Sequence, residues 1–246
     1  MHIMALKTAL ITGTSRPAGL GFAVARDLAA HGYHVILAAR DRAAAEPLAA
    51  RLRQDGHAAT ALRLDLSDRA SMDEAAGHVA EAFGHLDVLV NNASAMPDFQ
   101  ILDALDADMD AVRRAMEVCV IGPWALTQAL LPLLKAAPAA RIVNVSSLAA
   151  QQIATGLDLG APLRSPAYSM AKHTLNALTG VLARALSGTS ILVNAVDPGN
   201  TATHPERGDD ASDRAAADSA RDIVRAATLD ADGPTGQLFS DNRPTG

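Results

Sequence analysis

Short apolar runs and longer amphipathic stretches alternate from one end of the chain to the other. The runs are Thr8-Ala9-Leu10-Ile11, Val35-Ile36-Leu37-Ala38, Ala61-Leu62-Arg63-Leu64, Val88-Leu89-Val90, Ile142-Val143-Asn144-Val145, Ile191-Leu192-Val193-Asn194 and Gln237-Leu238-Phe239. Being apolar on successive positions, they read as strands covered on both faces. Between them, Leu20 to Ala30, Ala43 to Gln54, Ala70 to Phe83, Ala107 to Lys135, Ala167 to Leu186 and Ser212 to Thr228 carry apolar residues at helical spacing. A strand–helix–strand rhythm implies right-handed crossovers between parallel neighbours. The expected fold class is therefore α/β, a doubly wound sheet of about seven parallel strands with helices on both faces. No linker, repeat or low-complexity tract breaks the rhythm, so residues 1–246 are expected to form one domain. The polar segment His204 to Asp213 is expected as a surface loop.

Composition narrows the setting. The chain is 49% hydrophobic and 20% charged, which suits a globular core and excludes a disordered chain. A single cysteine, Cys119, can form no internal disulfide and no thiolate cage, which makes the cytoplasm the default location. A formal charge of −6 without a basic run argues against a nucleic-acid partner. The N-terminal residues Met1 to Lys7 lack the basic-then-apolar order of a secretion signal. The longest apolar stretch, Val118 to Leu134, is interrupted by Gly122, Pro123, Thr127 and Gln128, so a core helix is expected and no membrane span. Asp106, Asp108, Asp110 and Glu117 imitate a calcium loop, but Ala111 stands where its sharp turn needs glycine. His31 and His34 find no third ligand, and no metal site is expected.

Candidate chemistry begins after the first strand, where Thr12 to Gly21 reads TGTSRPAGLG and leads into a helix. Such a turn lets backbone N–H groups and the positive helix end approach a pyrophosphate, so Gly13, Gly19 and Gly21 are phosphate-cradle candidates. At the end of the second strand, Ala39 occupies the position where an acidic residue would hold the ribose hydroxyls, and Arg40 follows it. Arg40, with Arg16 on the glycine loop, suits a 2′-phosphate, which points to NADPH/NADP+ over NADH; Asp41 pulls the other way. Asp65 after the third strand could accept from an adenine amino group or serve as a turn residue. Asn91-Asn92-Ala93 follows the fourth strand.

Tyr168 and Lys172 lie four residues apart, one turn on one helix face, where the ammonium favours phenolate and makes the phenol a usable acid or base. Ser147 closes the fifth strand and Asp197-Pro198-Gly199 the sixth, all on the same rim of a parallel sheet. With the glycine loop, Asp65 and Asn91-Asn92-Ala93 in order, the chain resembles the short-chain dehydrogenase/reductase family over essentially its whole length. It looks most like the NADPH-dependent carbonyl-reductase-like branch. The resemblance implies a Rossmann-type fold and reduction of a ketone or aldehyde. Tyr168 would give a proton to the carbonyl oxygen, Ser147 would hydrogen-bond that oxygen, and Lys172 would bind the nicotinamide ribose. Pro198 and Gly199 would pass beneath the nicotinamide, with Thr201 and Thr203 reaching its carboxamide or the diphosphate. Ser15 and Leu20 on the glycine loop, Leu66 beside Asp65, and Asn92 with Ala93 complete the implied cofactor contacts.

Three departures accompany the resemblance. The glycine loop is two residues longer than the family's usual pattern, with Pro17 and Ala18 as the apparent insertion. Where the family places a fourth catalytic residue, an asparagine, three residues before a glycine, this chain has Cys119 before Gly122; a thiol hydrogen-bonds weakly, and the proton relay would be perturbed. Ser147 and Tyr168 are 21 positions apart, and the segment Gln151 to Arg164 is expected over the substrate side. Two alternatives stay open: an imine or enone reductase or biosynthetic isomerase on the same fold, and a catalytically weak cofactor-binding sensor. The partner is a small molecule, and the long helices Ala107 to Lys135 and Ala167 to Leu186 are the family's usual faces for a homo-oligomer. Of the few aromatic residues, Tyr33 reads as structural, and Phe99 and Trp124 are candidates for stacking on a substrate.

Overall fold

The computed structural model describes residues 6–154, 164–203, 213–240 and 243–244. In chain order, β1 (Thr8–Thr12), α1 (Leu20–Ala30), β2 (His34–Ala39), α2 (Arg42–Gln54), β3 (Ala59–Arg63), α3 (Arg69–Phe83) and β4 (Val88–Asn91) form the first half. The second half holds α4 (Met109–Met116), a π-helical turn (Glu117–Ile121), α5 (Gly122–Ala136), β5 (Arg141–Val145), α6 (Leu148–Ala154), α7 (Pro166–Ala185), β6 (Leu192–Asp197), β7 (Thr201–Ala202), β8 (Arg214–Ala215), α8 (Ala216–Ala227), β9 (Leu238–Ser240) and β10 (Arg243–Pro244). Seven strands run parallel in the order β3-β2-β1-β4-β5-β6-β9, and the two-residue β10 pairs antiparallel with β9 at the edge. The strand order reverses between β1 and β4. In a doubly wound sheet that point opens the crevice where ligands bind.

Alternate residues of each strand feed two cores. Leu10 packs with α3, α5 and α7 on one face, through Met72, Leu126, Leu130 and Leu175. Its neighbours Ala9 and Ile11 pack with α1, α2 and α8 on the other, through Val24, Leu52 and Ile223. Helix starts are set locally: Asp41, Asp68 and Asp108 cap α2, α3 and α4 with their carboxylates. Helix α1 differs. It starts on Gly19 with no side-chain cap, which leaves its first-turn amides for another acceptor.

The stretch expected as one helix from Ala107 to Lys135 is broken at Cys119. Pro123 brings no N–H to the carbonyl of Cys119, and Gly122 donates to the carbonyl of Glu117, five residues back, which is the π register. Gly122 is needed here because a Cβ would lie 2.6 Å from the Leu66 carbonyl oxygen. The combined helix, Met109–Ala136, has the length and mean hydropathy of a membrane span, but half of its apolar window is buried inside the protein. Residues 204–212, within the expected loop from His204 to Asp213, lie outside the described residues, as do 155–163 of the segment from Gln151 to Arg164. That segment instead opens with the end of α6. The run Gln237 to Phe239 overlaps β9, as expected, whereas β7, β8 and β10, two residues each, are too short to leave a periodic pattern.

His34, on β2, bonds through Nε2 to Thr60 Oγ1 at 2.8 Å and packs edge-on against Phe83. Burial lowers its pKa below the ordinary 6.5. The unfolded chain therefore takes up this proton first, and the stability His34 contributes is full above 6.5 and is lost as pH falls towards the folded value. The urea midpoint is expected to fall between about pH 7.5 and about pH 5, and to fall less in His34→Gln. An identical fall in both proteins would contradict this.

Candidate active site

The first part of the site is built where β1 and β4 diverge. Thr12 Oγ1 accepts from the amides of Asn92 and Ala93 at 3.0 and 2.9 Å, and Asn92 Nδ2 returns a bond to the Thr12 carbonyl at 2.8 Å. These bonds hold the two strand ends at a fixed separation. Gly13 then turns the chain at φ 72°, and a Cβ there would lie 2.7 Å from Ala93 Cα. Pro17 and Ala18, the apparent insertion, occupy a turn of their own. The Gly19 amide donates to the Arg16 carbonyl at 3.0 Å, closing a β-turn that carries Pro17 and Ala18 outward. Gly13 and Ser15 remain exposed, Arg16, Gly19 and Leu20 half-buried, and Gly21 buried against Asn92.

At the adjoining edge Arg40 is exposed at the end of β2. Asp41 spends its Oδ1 on the Ala43 amide at 2.9 Å as the cap of α2. Asp65 Oδ1 accepts from both Oγ and N of Ser67, at 2.7 and 2.9 Å. These bonds, then the nearby charges of Arg40 and Arg63, hold the Asp65 carboxyl below its ordinary pKa. Asp65 is thus a turn residue as well as a candidate ligand. Leu66 is buried behind it and against Gly122.

The second part rests on the seam between β5 and α7. Lys172, Asn176 and Thr179 recur on one helical face, and each meets the end of β5. Lys172 Nζ donates to the Val145 carbonyl at 2.7 Å. Ser146 Oγ donates to Asn176 Oδ1 at 2.6 Å, and Asn144 Nδ2 to Thr179 Oγ1 at 2.9 Å. Asn91 Nδ2 extends the last of these across to β4 with a 2.8 Å bond to Asn144 Oδ1. Lys172 is 1% exposed, and no other protein acceptor and no carboxylate reaches it among the described residues. Its ammonium lies 5.6 Å from the centre of the Tyr168 ring. Ser147 directly precedes α6, and its Oγ accepts from the Ala149 amide at 3.2 Å, which leaves the hydroxyl hydrogen to donate elsewhere.

Cys119 is fully buried in the π turn. Its thiol lies 3.6 Å from the Ala95 carbonyl and 3.5 Å from Ser94 Oγ. Beyond β6, the Gly199 amide donates to Asp197 Oδ1 at 2.9 Å, with Gly199 at φ 69°. Arg214 Nη1 and Ser219 Oγ both donate to the Pro198 carbonyl, at 3.1 and 3.0 Å. Thr201 Oγ1 is 2.8 Å from Ser219 Oγ, and Thr203 follows it half-buried. An open groove of about 610 Å³ runs along Met96 to Ile101, with Phe99 on its wall. Trp124 is exposed on α5, away from that wall, and Tyr33 is buried at the opposite end of β2.

Sequence reasoning missed Arg214, whose ion pair to the buried Asp222 at 2.8 Å braces the Pro198–Gly199 turn. An acidic residue beside Ile223 on the apolar face of α8 was its one available signal. Asp98 and Gln151 left none: Gln151 reaches Asp197 at 3.2 Å and Asp98 reaches Ala167, each through the fold alone.

Comparison with known proteins identifies the family and matches the fold. A model of the short chain dehydrogenase family matches residues 7–213, so the chain belongs to the short-chain dehydrogenase/reductase family. It is 38% identical over 206 residues to trans-4-hydroxycyclohexanecarboxylate dehydrogenase of Sinomonas cyclohexanicum, covering 81% of this chain and 74% of the relative. It is 36% identical over 197 residues to oxidoreductase UcpA of Salmonella typhimurium, covering 80% and 70%. A structure from Pseudomonas syringae assigned to the short chain dehydrogenases superposes with a TM-score of 0.84 at 29% identity, covering 95% and 94%. Salutaridine reductase from Papaver somniferum shares the fold, with a TM-score of 0.79 at 24% identity over 96% and 99% of the chains. The chain is accordingly an NAD(P)-dependent oxidoreductase acting on a small molecule.

Gly13→Ala tests the β1–β4 crevice. A left-handed alanine pressed on Ala93 is expected to cost about 2 kcal/mol or more in urea unfolding and to weaken dinucleotide binding about tenfold or more. Unchanged stability and affinity would contradict the crevice geometry.

Proposed function

We propose that this protein is an NADPH-dependent reductase that converts a ketone or aldehyde carbonyl to an alcohol, with Tyr168 as the proton donor. The observation that carries the reading is Lys172, a buried ammonium with one protein acceptor among the described residues, set beside the ring of Tyr168. A buried charge left this incompletely paired is costly unless a ligand completes its hydrogen bonds. The ribose hydroxyls of a dinucleotide are suitable acceptors.

The residues present fit that group along its whole length. The uncapped start of α1, with Gly13, Ser15, Arg16, Gly19, Leu20 and Gly21, would hold the diphosphate. Asp65 Oδ2 is left over by the turn and, with Leu66, would receive the adenine. Asn92, Ala93, Tyr168 and Lys172 would hold the nicotinamide ribose, and Pro198, Gly199, Thr201 and Thr203 the nicotinamide. The phosphorylated form is favoured because Ala39 offers no carboxylate, Asp41 is diverted to capping α2, and Arg40 stands exposed with its charge felt at Asp65.

When bound, the dinucleotide supplies hydride. As negative charge grows on the substrate oxygen, the Ser147 hydroxyl donates to it, free to do so because its oxygen already accepts from Ala149. Tyr168 transfers its phenolic proton to the same oxygen, and the Lys172 ammonium stabilises the phenolate left behind. In the oxidative direction the phenolate takes the proton back. The groove along Met96 to Ile101 would admit the substrate.

Purified protein is to be assayed with NADPH and with NADH against a panel of ketones, aldehydes, quinones, imines and enones. The expected result is carbonyl reduction with kcat/KM about tenfold or more higher for NADPH. Tyr168→Phe should lower kcat by about a hundredfold or more and, by removing one of the groups that would hold the ribose, weaken NADPH binding by less than about tenfold. Equal use of NADH would refute the cofactor reading. Dinucleotide binding without Tyr168-dependent turnover would favour the sensor.

A further inference from the structure

The segment that leaves β4 touches each part of the site in turn. Asn92 and Ala93 hold Thr12, Ser94 and Ala95 meet Cys119, and Asp98 and Ile101 reach the start of α7. The last contact is unusual in kind. The residue before α7 is Ser165, a good N-cap type that would normally sit in extended backbone and accept from an amide of the first turn with its own Oγ. Here Ser165 is left-handed, at φ 53° and ψ 62°, and its side chain makes no cap. Its Oγ is buried without a partner.

The amide it would have served, that of Ala167, donates instead to Asp98 Oδ2 at 2.6 Å, across 69 positions of sequence. The Ser165 amide donates to the Ile101 carbonyl at 2.9 Å, a second bond between the same two segments. Asp98 is 2% exposed and its Oδ1 has no partner, so the whole tie of this carboxylate is to the helix start. Tyr168 is the next residue. A carboxylate also matches the positive end of the helix, which a neutral acceptor does more weakly.

We propose that Asp98 is a positioning residue for Tyr168. It caps α7 from outside the helix and so sets where the phenol stands relative to the cradle that the same segment builds at Thr12. The inference rests on reading Tyr168 as the proton donor, but the clamp can be measured without turnover.

Two measurements test it. In the ligand-free protein, hydrogen exchange of the first turn of α7, residues 164–170, should quicken about tenfold or more in Asp98→Ala. Asp98→Asn, which keeps an acceptor oxygen, should stay near wild type, with the rest of the chain unchanged in both. In turnover with NADPH and a reducible carbonyl, Asp98→Ala should lower kcat about tenfold or more. KM for NADPH should stay within about twofold, and the kinetic isotope effect with 4-deuterated NADPH should rise as the chemical step becomes limiting. Asp98→Asn should recover most of kcat. If Asp98→Ala does not fold, Asp98→Glu, which keeps the charge and misplaces it, should show the same kcat loss with nucleotide affinity intact. Unchanged exchange and unchanged kcat would overturn the proposal, as would a kcat loss matched by an equal loss of nucleotide-binding sites. If wild-type protein reduces no carbonyl while Asp98→Ala still loosens the turn, the clamp stands and the role of Tyr168 fails.

Discussion

A lysine ammonium inside the protein, held among the described residues by a single backbone carbonyl, is the constraint around which the rest of the site is arranged. Lys172 reaches the end of β5 because α7 is fixed in register against that strand. Asn144 and Ser146, on either side of Val145, bond to Thr179 and Asn176 on the same helical face. These polar groups replace apolar contacts in the middle of a core, where each must be paired to be tolerated. They make the seam specific rather than merely sticky: sliding α7 by one residue would unpair several groups together. The ammonium departs furthest from this rule, since most of its hydrogen-bonding capacity is left over; Asn91 Oδ1, at the β4 end of the network, is buried without a partner as well. A structural lysine would be paired out. A lysine waiting for a ligand would look like this one.

The proposed nucleotide cradle and helix α7 come from opposite sides of the sheet reversal, yet a chain of hydrogen bonds joins them. Thr12 ties β1 to the exit of β4, and the chain continuing from that exit pins α7 through Asp98 and Ile101. The helix caps show the same division of labour. Asp41, Asp68 and Asp108 cap their own helices, whereas α1 opens on glycine and α7 is capped from elsewhere. Helix α8 also starts without a side-chain cap, on Ala215, so it is the bond from Asp98 across 69 positions that sets α7 apart.

Much of this was legible in the chain because it is local. Tyr168 and Lys172 declare their relation by spacing, the strands by apolar runs of the right length, and the glycine loop by its place between the first strand and helix. The break at Cys119 was legible in principle, since Pro123 lacks the amide that an unbroken helix needs there, but apolar periodicity runs through it undisturbed and predicts one helix. Asp41 looked like a competitor for the ribose until the fold spent one of its oxygens on α2. Asp98 could not be read at all and Arg214 only through the acidic residue on the apolar face of α8. Asp98 acts across 69 positions of sequence, and a carboxylate in a polar stretch looks the same whether it is solvated or caps a distant helix.

The central claim, that Lys172 is an unfinished hydrogen-bonding site completed by the dinucleotide, is tested most directly by titrating NADPH fluorescence in wild type and Lys172→Met. Methionine is close to the lysine stem in volume, carries no charge and donates no hydrogen bond. The dissociation constant should rise about tenfold or more, the loss expected for charge-assisted bonds to a ligand, while the ligand-free protein stays folded. A folded Lys172→Met protein that binds NADPH as tightly as wild type would contradict it.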